Sequence, residues 1–437
     1  MFAFDPDAVP EERRTAILRH TASCASCRRT LDFFMMAEED LADPDVWERV
    51  AGSATHDALI AWGERIAAED SEAEALLAPL LSSPATTAWM NLAQRKRFRT
   101  GGVVRRLSAH AHNVFEDEPL DALTFADAAI SIAEVLPDEI YPANGVYELR
   151  GTAWKERANA QLLLGQCAAA LDSLDRAERA YAKLRSPSLG LATVALVRAS
   201  VLYQQQRLEE AAAMAETAER GFSHLGDDDR RMTALYLRAS IKFEAQQIDE
   251  AVALFNQLLE YGENTQNAVW IGRASYALGD CEVCRGDLGE ASIRFQQALA
   301  ILRTSGPSTD RVRTEWGIAR VLLHGGKYAE AIRRLQDVVG EFEKRGMVTD
   351  AALTGLDMAE AFLALGKRKE IVALATRLFR VFADAGMLTG ALTAIAYIKE
   401  AAAAATLSTS DLAAVRTFLR RAEHQPDLLF VPPPRNS

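Results

Sequence analysis

The chain has 437 residues, of which 49% are hydrophobic, and its formal net charge is −12. An acidic chain of this kind lacks the basic face that wrapping nucleic acid requires, so we expect no direct nucleic-acid partner. It contains no apolar run of about 18 residues, and its first residues, MFAFDPDAVPEERR, do not have the pattern of a signal peptide. Five cysteines, four of them in two C-x-x-C pairs, suit a reducing compartment. We therefore expect a cytoplasmic protein without a membrane span.

The first third of the chain shows helical patterns of unequal length. They predict helices at 11–34, 37–51, 56–69, 72–82, 85–99, 103–115 and 119–136. Around the fifth of these helices, six basic residues lie close together: Arg95, Lys96, Arg97, Arg99, Arg105 and Arg106. We interpret this group as a solvated face, with contact to an acidic partner surface as the alternative.

A regular repeat follows. Small or apolar residues recur at intervals of 41, 40, 40, 40 and 40 residues, at Ala170, Ala211, Ala251, Ala291, Ala331 and Ile371. A repeat of this length with two amphipathic helices in each unit predicts a helical-hairpin solenoid. Since strands do not alternate with helices anywhere in the pattern, the predicted fold class is all-α.

The units resemble the tetratricopeptide repeat (TPR), a pattern of 34 residues. At its eighth position, where the two helices approach closely, the units carry Ala158, Ala199, Ala239, Gly279, Ala319 and Ala359. At its fifteenth position, where a left-handed residue can end the first helix, they carry Gly165, Gln206, Gln246, Gly286, Gly326 and Gly366. The resemblance implies a TPR-like superhelical solenoid whose first helices line a concave surface.

These patterns divide the chain into six parts. We expect an N-terminal segment at 1–34, a helical connecting region at 35–97, an atypical hairpin at 98–150, six repeats at 151–387, a capping hairpin at 388–423 and a Pro-rich tail at 424–437. Ser410 is the predicted N-cap of the last helix. Leu428, Leu429 and Phe430 are predicted to pack back onto the capping hairpin.

Inward-facing positions of the resembled repeat give a candidate partner-binding groove. It consists of Lys155, Asn159, Tyr203, Tyr236, Phe243, Arg273, Tyr276, Trp316 and Arg320, with Asp280, Arg313 and Glu360 beside them. Aromatic and arginine side chains are favoured at the centres of protein interfaces. Packing between repeats is the alternative interpretation of the aromatic residues. Lys155 and Asn159 resemble half of the carboxylate clamp of chaperone-binding repeats, but Val197, Thr233 and Leu237 stand where the other half would be.

One motif has the spacing of metal ligands. His20, Cys24 and Cys27 form H-x3-C-x2-C, which would place three soft ligands around one point, as zinc requires. Packing of these residues in a helical core is the alternative. The second C-x-x-C pair, Cys281 and Cys284, falls inside the first helix of the fourth repeat, and we interpret it as structural.

The segment around that motif, PEERRTAILRHTASCASCRRTL, resembles the zinc-finger anti-sigma family of bacterial proteins. The resemblance implies a zinc cofactor and a sigma factor as partner. The family carries one further His before the motif, and residues 1–19 contain neither His nor Cys. Either an upstream start codon adds that ligand, or a distant residue such as His56 completes the site, or zinc is absent or weakly held.

Phosphate-binding, metalloprotease and hydrolase motifs do not occur in the sequence, so we expect no enzyme activity. The sequence favours a regulatory protein that joins an anti-sigma-like segment to a repeat module for a protein or peptide partner. Two alternatives stay open: a TPR scaffold with a vestigial zinc finger, and a peptide-sensing TPR regulator.

Overall fold

A computed structural model describes residues 54–81, 89, 91–115, 118–137, 140–141, 143–184, 188–305, 308–345, 347–384, 389–422 and 428–433. The helices predicted at 11–34 and 37–51 lie outside these residues. The predicted zinc ligands His20, Cys24 and Cys27 lie outside them as well.

Seventeen α-helices and no strand occur in the described residues, which confirms the predicted all-α, helical-hairpin class. The helices are α1 Ala54–Leu81, α2 Gly101–Val114, α3 Pro119–Ala133, α4 Ala143–Leu163, α5 Cys167–Tyr181, α6 Ser188–Gln204, α7 Leu208–His224, α8 Asp228–Glu244, α9 Ile248–Thr265, α10 Ala268–Arg285, α11 Leu288–Ser305, α12 Ser308–His324, α13 Tyr328–Lys344, α14 Val348–Ala364, α15 Arg368–Asp384, α16 Thr389–Ala403 and α17 Thr409–Ala422. Six successive hairpins run from α4 to α15, and α16 with α17 forms the last one. The first hairpin begins at Ala143, somewhat before the predicted position 151.

The described residues fall into two compact units. The N-terminal unit contains the described residues up to 201 together with 217–231, and the C-terminal unit contains 202–216 together with the described residues from 232 onward. None of the described helices combines the length and the apolar character that crossing a membrane would require.

In the N-terminal unit, α1 is one continuous helix, so the prediction of two helices at 56–69 and 72–82 is wrong. Asp70, at the predicted break, is bound by α2 and has no free side chain with which to end the helix. The Arg105 Nε donates to Asp70 Oδ1 at 2.8 Å, and the Gly102 amide donates to the adjacent Glu69 Oε2 at 3.2 Å. Glu69 therefore satisfies an amide at the N-terminus of α2, where the helix has no internal acceptor.

The prediction of a helix at 85–99 is also wrong for the described residues of that range. Two short 3-10 turns, Leu92–Gln94 and Lys96–Phe98, stand there instead. Asn91 is left-handed, with φ of 68°, and the Arg99 side chain donates to the Ala93 carbonyl at 2.7 Å. These local bonds compete with helical hydrogen bonding, and they turn the buried Leu92 and Phe98 toward the core. Of the predicted basic group, Arg99, Arg105 and Arg106 are thus bound within the unit, since Arg106 pairs with Glu74 at 3.0 Å.

The turn inside each of the six hairpins has the left-handed residue that the repeat pattern predicts. The values of φ are 69° at Gly165, 59° at Gln206, 60° at Gln246, 81° at Gly286, 73° at Gly326 and 68° at Gly366. Glycine adopts this conformation without steric cost, whereas the two glutamines do not.

The predicted close approach of helices is confirmed in the C-terminal unit at Phe295 of α11. Its ring fits between Gly279 of α10 and Gly317 of α12, and a Cβ added at either glycine would lie 2.8 or 2.5 Å from a ring atom. The ring is completely buried. Phe295 therefore links one hairpin to the next, which is how a solenoid builds a continuous core.

The N-cap of α17, in the last hairpin, differs from the predicted one. Ser408 rather than Ser410 caps α17, since the Asp411 amide donates to Ser408 Oγ at 3.2 Å and the Ser408 amide donates to Asp411 Oδ2 at 2.8 Å. This reciprocal pair is a capping box. Of the tail residues predicted to pack back, Phe430 is buried against Phe418, whereas Leu429 is 73% exposed.

Candidate partner-binding surface

In the N-terminal unit, two predicted groove residues, Lys155 and Asn159, both contact Glu156 of α4. The Lys155 Nζ contacts Glu156 Oε1, and the Asn159 Nδ2 donates to Glu156 Oε2 at 2.8 Å. His112 of α2 places its Nδ1 3.2 Å from the same carboxylate. Lys155 and Asn159 thus hold an internal carboxylate, and they do not present an open half-clamp for a ligand.

The charge on Glu156 is maintained despite burial. Burial alone would raise the pKa of this carboxyl group, but the Lys155 charge and the hydrogen bond to His112 outweigh it and lower the pKa from 4.5 to about 2. Sequence reasoning missed Glu156 because a glutamate inside a helix is normally solvated. Only its packing against α2 shows that it is the centre of a buried polar cluster.

In the C-terminal unit, the candidate residues lie on the first helices of successive hairpins. We call the side lined by Tyr236, Arg273, Tyr276, Asp280, Arg313, Trp316, Arg320, Asp357 and Glu360 the first-helix face. All of these residues except Asp357 were predicted from the sequence, and each predicted one is half-buried. Tyr203 and Phe243 are half-buried as well. The structure thus leaves part of each side chain accessible.

Two ion pairs of the same register link these first helices. The Arg273 Nε of α10 donates to Asp310 Oδ2 of α12 at 2.8 Å, and the Arg313 Nη2 of α12 donates to Asp350 Oδ2 of α14 at 3.3 Å. Each pair spans 37 residues. Each arginine therefore reaches the first turn of the following first helix, where a carboxylate also complements the helix dipole.

A second set of contacts runs along the middle of the same face. The Arg320 Nη1 donates to Asp280 Oδ1 at 2.7 Å, and the Trp316 Nε1 donates to Asp357 Oδ2 at 2.7 Å. Although burial opposes the charge of Arg320, the carboxylates of Asp280 and Asp357 raise its pKa above the ordinary value. Arg320 is therefore charged at neutral pH despite its burial.

The aromatic residues of the face use their rings to pack inside hairpins. Ring centroids lie 5.9 Å apart for Tyr236 and Phe255, 5.8 Å apart for Tyr276 and Phe295, and 5.9 Å apart for Trp316 and Phe342. In each pair, the first residue lies on the first helix and the second on the second helix. Packing inside the hairpins thus accounts for part of each aromatic side chain, and each of the three is half-buried.

Two residues that the repeat pattern did not indicate form an ion pair at the α14 part of the face. Asp357 of α14 is 5% exposed, and Arg416 of α17 donates from Nη2 to Asp357 Oδ1 at 2.8 Å and to Glu360 Oε2 at 3.0 Å. Asp357 lies two residues before Ala359, the small residue of its repeat, at a position for which the repeat pattern has no residue preference. Arg416 lies in the capping hairpin, which the repeat alignment does not cover.

The C-x-x-C pair on α10 is divided between core and surface. Cys281 is buried, and burial raises the pKa of its thiol to about 12. Cys284 is exposed on the same helix. Among the described residues, no group of three His, Cys, Asp or Glu side chains has the arrangement of a metal site.

Comparisons with known proteins agree with this architecture. Residues 230–304 match the family model of the tetratricopeptide repeat. A comparison with curated proteins finds no match.

Three solved structures are among those similar to this chain. Aspartyl phosphate phosphatase F from Bacillus subtilis is 15% identical, with a TM-score of 0.53, and the match covers 84% of this chain and 91% of that one. A Rap protein in complex with competence and sporulation factor is 16% identical, with a TM-score of 0.45 and coverage of 73% and 99%. A tetratricopeptide repeat protein from Parabacteroides merdae is 18% identical, with a TM-score of 0.45 and coverage of 69% and 98%. The chain thus contains tetratricopeptide repeats at residues 230–304 and has a helical-hairpin fold similar to that of aspartyl phosphate phosphatase F.

Proposed function

We propose that this protein is a non-enzymatic regulator that binds a protein or peptide partner through the first-helix face of its C-terminal unit. The observation that carries the proposal is the row of half-buried arginine and aromatic side chains on successive first helices, which begins within the matched tetratricopeptide residues 230–304. Such side chains combine apolar area with directed hydrogen bonds, which is why they dominate binding energies at protein interfaces.

We further propose that the N-terminal segment around His20, Cys24 and Cys27 contacts a sigma factor in the manner of the anti-sigma proteins that it resembles. The H-x3-C-x2-C spacing and the basic residues Arg28 and Arg29 that follow it support this proposal. Zinc would be held by these three side chains together with one further ligand. In this proposal, the segment supplies the transcriptional contact and the repeats receive the signal.

Affinity capture of the full chain from its native host tests the proposal, with the captured proteins identified by mass spectrometry. We expect the unchanged protein to recover a sigma factor or another transcription component, and the variant Cys24→Ser to recover much less of it. Zinc content, measured on both proteins in parallel, should be near one atom per chain and should fall in the variant. Recovery of no transcription component would rule out the transcriptional contact, and absence of zinc from both samples would rule out the metal.

A peptide-sensing regulator without a sigma-factor contact is the second candidate. The half-buried arginine and aromatic side chains of the first-helix face support this candidate too, because they favour binding of a peptide as much as of a protein. A result in which Cys24→Ser changes nothing, while substitutions on the first-helix face abolish capture, would favour this candidate.

A further inference from the structure

The last helix departs from the alternation of first and second helices. In the C-terminal unit, α17 lies against its own partner α16 and also against α14, the first helix of the preceding hairpin. Arg416 contributes to the contact with α14 by bridging Asp357 and Glu360. A second helix that simply continued the repeat would instead lie away from the first-helix face.

Of the first helices that define the face, α17 lies against α14, the last of them in the chain. Arg416 reaches Asp357 and Glu360 there. Within this unit, α17 therefore places an arginine on the part of the first-helix face that α14 contributes, where we propose that a partner binds.

The two carboxylates around Arg416 favour an arginine over other side chains. Asp357 is almost completely buried, and it already accepts the Trp316 indole hydrogen bond, so a second donor is needed to compensate its charge. Glu360, one helical turn further along α14, supplies the second acceptor. A guanidinium is the side chain whose donors can reach two carboxylates at once while its charge offsets theirs.

Apolar contacts accompany the ion pair. Leu412, Val415 and Leu419 of α17 are buried in the core of the C-terminal unit, whereas Thr417, Arg420 and Arg421 are exposed. The helix thus has the pattern of an amphipathic ligand that lies in a groove: apolar residues on one side and an arginine at the edge.

We propose that α17 is an internal ligand of the first-helix face, and that the partner is an amphipathic, arginine-bearing helix that displaces it. The inference rests on the proposed function of that face. A partner helix with an arginine at the place of Arg416 and apolar residues at the places of Leu412, Val415 and Leu419 covers the same surface. The exchange therefore leaves Asp357 paired and the apolar surface beneath α17 covered, and the remaining cost is exposure of the apolar side of α17 itself. A partner lacking the arginine would leave a buried carboxylate without its counterion, which is strongly unfavourable.

A synthetic peptide of residues 406–424, labelled with a fluorophore, tests this exchange on the full-length protein. Binding is measured by anisotropy to the unchanged protein, to Arg416→Ala and to Arg421→Ala, whose residue lies on the exposed side of the same helix. We expect Arg416→Ala to bind the peptide at least about tenfold more tightly than the other two proteins do, because its own helix no longer competes well. The same peptide with Arg416→Ala should bind that variant at least about tenfold more weakly.

Hydrogen exchange provides a second readout on the same proteins. Amides of residues 412–422 should exchange about tenfold faster or more in Arg416→Ala, while those of α14 keep their protection in the presence of the peptide. If Arg416→Ala does not fold, Arg416→Lys keeps the charge with fewer donors, and it should bind the peptide more tightly than the unchanged protein does.

Equal peptide affinity for all three proteins, or no binding to any of them with unchanged exchange at 412–422, would overturn the internal-ligand proposal. These outcomes are distinct from failure of the proposed function. Capture of a partner through the first-helix face without any peptide exchange would contradict only the internal-ligand proposal. Peptide exchange without any captured partner would contradict only the proposed function.

Discussion

Trp316 and Asp357 lie 41 residues apart in sequence, and the Trp316 Nε1 donates a hydrogen bond of 2.7 Å to the nearly buried carboxylate. The bond joins the first helices of two successive hairpins. The other oxygen of Asp357 accepts from Arg416, so one carboxylate ties α12, α14 and α17 together.

Replacing Trp316 by Phe should weaken this connection. The substitution keeps an aromatic ring beside Phe342 but removes the donor, and the free energy of unfolding should fall by about 1–3 kcal/mol. A double-mutant cycle with Asp357→Asn, followed by urea denaturation, measures the coupling between the two side chains. We expect a coupling energy of about 1 kcal/mol, and additivity of the two substitutions would contradict the role of the bond.

The two left-handed glutamines should be replaceable by glycine with a gain in stability. Gln206→Gly and Gln246→Gly should each raise the free energy of unfolding by about 1 kcal/mol, because glycine has no Cβ to clash at φ near 60°. Gln257→Gly, at an exposed position inside α9, is the matched control and should lower it by about 1 kcal/mol. Thermal denaturation of the three variants checks the difference in sign.

The glycines around Phe295 should not tolerate a methyl group. Gly317→Ala places a Cβ 2.5 Å from the buried ring, and we expect a loss of about 2 kcal/mol or more. Gly340→Ala, a helical site of α13 with nothing within 4 Å of the added Cβ, should instead stabilise by about 1 kcal/mol. If Phe295→Leu in the Gly317→Ala background restores none of the lost stability, the clash is not the cause.

Stability should depend on pH through Glu156. Its pKa is lowered in the folded protein to about 2, so its contribution is complete above the unfolded value near 4.5 and is lost as pH falls through 2. The melting temperature of Glu156→Gln should therefore lie below that of the unchanged protein at pH 7, and the gap should narrow between pH 5 and pH 2. Glu216→Gln, at an exposed site in the middle of α7, is the control and should change the melting temperature little.

The repeat positions could be predicted because they depend on local geometry. A small residue is needed where two helices of one hairpin approach, and a left-handed residue is needed where the first helix ends. Both demands recur every forty residues, as at Gly279 and Gly286. The continuity of α1 could not be predicted, because Asp70 favours a turn unless a distant Arg105 binds it.

The centre of the candidate surface was missed for a similar reason. Asp357 and Arg416 are ordinary charged residues in sequence, as is Glu156 of the N-terminal unit, and the role of each depends on which way its helix is turned about its axis. That rotation is fixed by packing between helices, which the forty-residue spacing does not encode. The arginines and aromatic residues of the first helices were found because their repeat positions alone place them on one side.

The central claim is that a partner binds the first-helix face, and site-specific photocrosslinking in the native host tests it most directly. A photoreactive amino acid is placed at Arg313, a half-buried position of that face, and in a second strain at Arg333, an exposed position of the second helix α13. We predict a discrete crosslinked protein at position 313 that is absent at 333. Identical crosslinks at the two positions, or crosslinks at 333 alone, would contradict the claim.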